Sequence, residues 1–523
     1  MSNSTSSTSQ STMAASLPVL LVNLGPSIVL PLLLIAILAG SLGYAKLVAR
    51  PAPHPKAPKL WTAHHYPIIG SAYAYFKNRF DLMQGIRAAD AGKEKEKNGA
   101  SSFYIGRKHV VFLSGPDGIK TVFNGPRGLS LGAGFVELLA GALPDAANEV
   151  AQDGALMRFF TKTMVALVRP DVLARKVGFL CRHVRALCDE LTCPSQQAES
   201  EWHVMDPFDC ITRLLFRMPA GIVGATELAE DDRLLTRSMK LFDAFERCNS
   251  PVGVVFPWLA VVTPSYWIRI GIAALLYRTF SNLVSERKRT GTRHEDGLQY
   301  LMDKDHSTKE ILIVSFFPLS HQTRLRVTLT ARHSQFQINA IFASALSTAP
   351  VGTWLLVALA AYPEWQNRCR DEVERAIVAA AKDKTKDKNC NKPNYDGSSI
   401  LADFTFDEWD SERFPVISAC IHELLRLVLT FCAIRKNDSG ADIPIAASSP
   451  GAGGTVIPNG SFVVYMADDL HLNPEHYPDP ETYDPGRHLG EDGSFTSKPG
   501  SFLGWGAGRH ACCKYPIFEV IIP

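Results

Sequence analysis

The cysteines of this chain follow no paired spacing. Eleven are scattered through 523 residues, which argues against a disulfide framework or a zinc site and for a reducing compartment around the main domain. Most are then expected to be small buried apolar residues. Neither sign of charge dominates: 54 basic and 52 acidic residues leave a net charge of +2, so nothing calls for a nucleic-acid partner. No glycine-rich nucleotide-binding fingerprint appears. Disorder is excluded for the bulk of the chain by 46% hydrophobic against 20% charged residues. The length exceeds a usual single domain but also suits one large unit with a sizeable core.

Charge is missing altogether before Lys46. Residues 1–16 are polar and rich in Ser and Thr, and residues 17–48 are nearly all apolar, interrupted by Asn23 and a few serines. That run is long enough to span a bilayer; a buried core helix seldom continues so far without charge. A cleaved signal peptide would carry its basic residues first. Here Lys46, Arg50, Lys56 and Lys59 follow the apolar run, which places the C-terminal side in the cytosol. Residues 49–59 contain Pro51, Pro53, Pro55 and Pro58, a stiff extended spacer. The remainder, 60–523, reads as one large domain.

Within that domain, His109 to Ser114 and Ser461 to Tyr465 are short apolar strands, and Val172 to Leu191 and Glu227 to Phe245 carry helical patterns. The fold class is mainly α with small β-sheets (α+β). Pro251 to Pro264 is apolar and proline-bounded, suiting either a channel wall near a membrane or an ordinary surface. Residues 314–334 have no helical periodicity. Val314-Ser315 can be encoded GTA-AGT, a splice donor, so the segment reads as a retained intron or as a natural insertion loop. An apolar helix follows from Phe336 to Tyr362, bearing the hydroxyls Ser347 and Thr348, and Pro363 to Ala380 is a charged helix leading to a polar loop over Lys382–Ser399. Glu423 and Arg426 then stand three apart on an apolar helix, a spacing that lets them pair.

Near the C-terminus comes Phe502-Leu-Gly504-Trp505-Gly506-Ala-Gly508-Arg509-His510-Ala-Cys512. Glycines that tolerate positive φ and a basic pair describe a tight loop presenting one thiolate. Haem iron is the ligand that uses a single cysteine rather than a cluster of four. The segment resembles the haem loop of the cytochrome P450 family, in a form similar to its fungal members, with Trp505 where the family usually has Phe. Glu423-x-x-Arg426, with Tyr483-Asp-Pro485-Gly-Arg487 between it and the loop, extends the resemblance over nearly the whole chain.

That resemblance implies haem b with Cys512 as axial iron ligand. His510 and Arg435 would meet the propionates, although a surface arginine is equally open for Arg435, and Trp505 and Gly508 would shape the loop. Glu423, Arg426 and Arg487 would lock the core behind the haem. Ala343-Ser-Ala-Leu346-Ser347-Thr348 falls where the family has an acid beside an alcohol. Leu346 replaces the acid, so Ser347 and Thr348 are either a proton relay or back-bonded core residues. The implied activity is a monooxygenase, anchored in the endoplasmic reticulum membrane, that inserts one atom of O2 into a hydrophobic small molecule of terpenoid, polyketide or mycotoxin-like secondary metabolism. Electrons would come from NADPH through a separate reductase. The missing acid keeps open an isomerase or dehydratase that needs no reductase. In the family the cysteine is followed by x-Gly and a long helix; here Lys514 and Pro516 stand instead. Residues 513–523 are therefore expected to be an aberrant, truncated end, which would leave an inactive haem-binding protein as a further alternative.

Overall fold

The computed structural model describes residues 48–91, 99–138, 154–192, 206–304, 349–386, 412–429, 431–446, 454–497 and 500–512, with single positions at 34, 38, 40, 41, 43, 44, 341 and 404. The expected membrane span 17–48 lies mostly outside these residues, and among the described residues no helix is long and apolar enough to cross a membrane. Also outside are segment 314–334, Ser347, Thr348, the side chain of His510 and residues 513–523.

A six-stranded sheet collects strands from both ends of the domain, in the order β1-β2-β3-β8-β5-β4. β1 (Lys59–Leu60) runs parallel to β2 (Ala100–Ile105), which turns through Gly106-Arg107 into antiparallel β3 (Lys108–Leu113). β3 is rich in β-branched and aromatic residues, as is β8 (Phe462–Met466), and the two pair in parallel with Val110 opposite Phe462. β8 then pairs antiparallel with β5 (Cys432–Asn437), setting Arg435 opposite Val463, and β4 (Leu129–Ser130) closes the far edge. β6 (Ile443–Pro444) and β7 (Val456–Ile457) make a separate antiparallel pair. β3 and β8 coincide with the strands expected over 109–114 and 461–465 to within one residue.

Helices form the rest. Those used below are α1 (Gly115–Asn124), α2 (Leu131–Leu138), α3 (Val177–Thr192), α4 (Asp232–Arg247), α5 (Pro264–Thr290), α6 (Pro363–Lys386), α7 (Pro415–Val428) and α8 (Asp468–His471). α3 and α4 begin about five residues later than their apolar patterns suggest, because short helices at Pro170–Ala174 and Thr226–Glu230 take the first turns. α6 runs past the expected end at Ala380 to Lys386. The apolar stretch 251–264 folds as a short helix over Pro251–Val255 and a 3-10 turn over Pro257–Val262, and Trp258, Val261 and Val262 are exposed.

α7 is the helix on which the site is built. Pro415 occupies its first turn, where a missing N–H costs nothing. Every residue from Val416 to Arg426 is buried. The open N–H groups of that buried first turn need acceptors. Glu372 of α6 supplies them: its carboxylate accepts from Val416 N at 2.8 Å and Ile417 N at 3.0 Å. Leu424, Ile421 and Ile417 pack with Trp365 and Val351 into one apolar cluster. The cysteines differ from expectation. Of the eight in described positions only Cys369 and Cys420 are buried, with sulfurs 3.7 Å apart, whereas Cys188 and Cys512 are exposed. Composition alone does not tell a core thiol from one at a loop end.

Candidate functional site

Glu423 leaves α7 into a fully enclosed polar knot. Arg426, one helical turn on, donates to both of its oxygens, from Nε at 2.9 Å and from a terminal nitrogen at 2.8 Å. His488 Nε2 lies 3.1 Å from the same carboxylate, and Asp484 N donates to it at 3.1 Å. Arg487 Nε is 3.3 Å away but out of hydrogen-bond alignment. Its firmer bond is to Asp479 O at 3.0 Å. Arg426 uses its remaining donors on His471 O, Pro480 O and Thr482 O and lies over the Tyr477 ring. Burial alone would raise the Glu423 pKa; the hydrogen bonds from Arg426 and His488 outweigh it and hold the carboxyl at about 2. The three residues singled out in the sequence thus meet, and His488 joins them.

His471 carries this knot to the cysteine loop. It sits at the end of α8, fully buried, with its backbone oxygen on Arg426 and its Nε2 accepting from Leu503 N at 2.8 Å. Its ring stacks on Phe502 at 5.2 Å between centroids. Burial first, and then Arg426, push its pKa down to about 3, so the imidazole is a neutral acceptor. Beyond Leu503 the loop turns on itself: Gly506 N donates to Leu503 O and Cys512 N donates to Trp505 O, each at 2.7 Å. Gly506 and Gly508 have φ of 70° and 62°, a region costly for other residues. At Gly508 a Cβ would lie 2.2 Å from Phe123 O, so the loop rests directly on the end of α1. Arg509 adds bonds to Gly125 O and Pro126 O. Trp505 donates its indole N–H to His422 Nε2 at 3.2 Å. The Cys512 thiol stands exposed at the loop's exit.

Arg435 is buried at 4% exposure on β5, so the surface reading is overturned. It stands opposite Val463 of β8, the next two residues of β5 pair with β4, and α2 packs close, where a Cβ on Gly134 would come within 2.9 Å of the Arg435 backbone. Its guanidinium faces the Phe123 ring and hydrogen-bonds Ile434 O; no carboxylate pairs with it among the described residues. Burial, and then the neighbouring Arg509, push its pKa down to about 10. Two cations therefore converge beside Phe123 and Gly508, where an anionic group would restore the balance.

The family profile described as cytochrome P450 matches residues 94–513. The chain belongs to the cytochrome P450 family. Among its relatives are cytochrome P450 monooxygenase AacuE of Aspergillus aculeatus, 27% identical over 87% of this chain and 82% of the relative, and cytochrome P450 monooxygenase dmxR5 of Cryptosporiopsis sp., 28% identical over 86% and 78%. Cytochrome P450 monooxygenase nsrP of Aspergillus novofumigatus is 25% identical over 91% and 83%. The chain is thus an oxidoreductase of the P450 monooxygenase type, a family that implies haem, O2, a hydrophobic substrate and electrons from a redox partner.

The residues present fit a haem: a buried Arg435 with no acid paired to it among the described residues and the exposed Arg509 beside it, a glycine loop seated on α1 and an exposed thiol at its end. His422, His471 and His488 were not singled out in the sequence. His422 directly precedes Glu423 and His488 directly follows Arg487, so adjacency to the motif residues was the available signal. For His471 no local signal existed, since its partners are 32 and 45 residues away.

Proposed function

We propose that this P450 is a membrane-anchored haem-thiolate monooxygenase that inserts one oxygen atom of O2 into a bulky apolar small molecule in fungal secondary metabolism, of terpenoid or polyketide type. The observation that carries it is the Cys512 loop, closed by backbone bonds and seated through Gly508 on α1 beside the buried Arg435, with its thiol exposed at the exit. Residues 17–48 act as the anchor in the endoplasmic reticulum and 49–59 as the hinge, leaving 60–523 in the cytosol. The charge-free apolar run and the basic residues after it support this.

Haem b, when bound, supplies the iron at which O2 is activated and an oxygen atom transferred. Cys512 would hold its iron, and the bond from Cys512 N to Trp505 O fixes the backbone that carries that sulfur. Arg435 takes a propionate, with His510 assigned the same task. Glu423, Arg426 and Arg487 hold the loop's footing rigid. Ser347 and Thr348, outside the described residues, are assigned proton delivery in place of the acid replaced by Leu346. NADPH delivers electrons through a separate flavoprotein reductase.

A reduced carbon-monoxide spectrum of the purified chain tests this reading. The thiolate-type Soret band is expected, and Cys512→Ser should abolish it; a Ser variant that keeps the band overturns the assignment. Arg435→Leu should lower haem affinity by roughly tenfold or more, with partial recovery in Arg435→Lys. Turnover of terpenoid or polyketide substrates that proceeds without NADPH and reductase would remove the monooxygenase reading.

A further inference from the structure

Cys369 of α6 and Cys420 of α7 meet in the core, 8% and 1% exposed, with their sulfurs 3.7 Å apart and both thiols free. A second contact one helical turn away holds the two helices in this register. Glu372, three residues after Cys369, accepts from Val416 N and Ile417 N, and Ile417 stands three residues before Cys420. Residues three apart share a helix face, so both contacts lie between the same two faces. Neither helix slides along the other without breaking the buried bonds of Glu372. A disulfide needs about 2.05 Å between its sulfurs. The thiols already touch, so closure asks for rotation about their Cα–Cβ bonds rather than a new packing of the helices.

We propose that Cys369 and Cys420 form an oxidation site, which a peroxide converts to a disulfide joining α6 to α7 one turn from Glu423. The first sulfur to react attacks the peroxide as its thiolate, forming an S–O bond and breaking the O–O bond, and one water leaves. The second sulfur then forms the S–S bond and displaces that oxygen as a second water. Two thiols lose two electrons and two protons to one peroxide. A sulfenic acid formed in this core has the other thiol in contact with it, so condensation precedes further oxidation. In a reducing compartment the pair is free at rest, and peroxide is what changes it. The bond would reinforce the helix that carries Glu423 and Arg426, by restraining the unfolded chain between α6 and α7. This site needs no haem and stands apart from the assignment of Cys512.

Stepwise addition of hydrogen peroxide to the purified full chain at neutral pH, followed by alkylation of the remaining thiols in denaturant and peptide mass mapping, tests it. The expected product is a linked pair of peptides carrying Cys369 and Cys420, lighter by two hydrogen atoms than the separate peptides. Its yield should track a rise in the urea midpoint that dithiothreitol reverses. Cys420→Ser should show neither the link nor the rise, and its Cys369 should instead pass to the sulfinic acid. Should Cys420→Ser not fold, Cys369→Ala makes the same test from the other side, and the linked peptide of the parent is read without either. Oxidation confined to the exposed Cys188 and Cys512, or a link between Cys369 and Cys420 that forms only in urea, overturns the proposal.

Discussion

Glu423 has no exposed surface, yet its carboxyl is held ionised to about pH 2. Such a charge persists only because each oxygen is met by donors: Arg426 twice, His488 and Asp484 N. The folded value lies below the ordinary glutamate value of 4.5, so the group contributes stability that is fully present above about pH 4.5 and lost as pH falls toward 2. The shift corresponds to about 3 kcal/mol. Acid unfolding followed by circular dichroism should therefore show a stability loss between pH 5 and about 2 that Glu423→Gln lacks. The Gln variant should also be about 3–5 kcal/mol less stable at neutral pH, since Arg426 is left buried without its counter-charge. An unchanged midpoint in urea for Glu423→Gln would contradict this account of the knot.

At the scale of elements, α7 shows what could be read from the chain and what could not. Its start was marked by Pro415, its apolar face by unbroken hydrophobic spacing, and its pair by the three-residue interval from Glu423 to Arg426. These are local signals. Glu372 was invisible as a partner because it lies 44 residues upstream, one of many charges in a helix that reads only as charged and amphipathic. Arg435 stood open between surface and interior until sheet order placed β5 between β8 and β4. Strand pairing between distant segments decides such burial, and no window of sequence contains it. Glu372 carries a prediction of its own. Removing its carboxylate strands two buried N–H groups at the start of α7, so Glu372→Ala should lower stability by about 1–3 kcal/mol. Glu372→Gln, which keeps one acceptor oxygen, should cost less. Urea denaturation of both variants measures the difference, and an Ala variant as stable as the Gln one would show that water or backbone replaces the lost acceptors.

Across the whole molecule, the cysteine loop has no footing of its own. Leu503 hangs on His471 of α8, Trp505 on His422 of α7, Arg509 on the carbonyls that follow α1, and Gly508 on Phe123. His471 is itself held by Arg426, and Arg426 by Glu423. The geometry that presents Cys512 therefore depends on bonds linking three helices, and it should be lost only when they are lost together. In a urea titration of the haem-bound chain, the thiolate Soret band and the helical circular-dichroism signal should disappear at one midpoint. Glu423→Gln should shift both by the same amount. Independent behaviour, with the thiolate band vanishing while helical signal remains at its native value, would mean that the loop can detach from an intact core. In that event the chain from Glu423 through Arg426 and His471 to Leu503 would be a contact seen in the fold without being the support of the haem ligand.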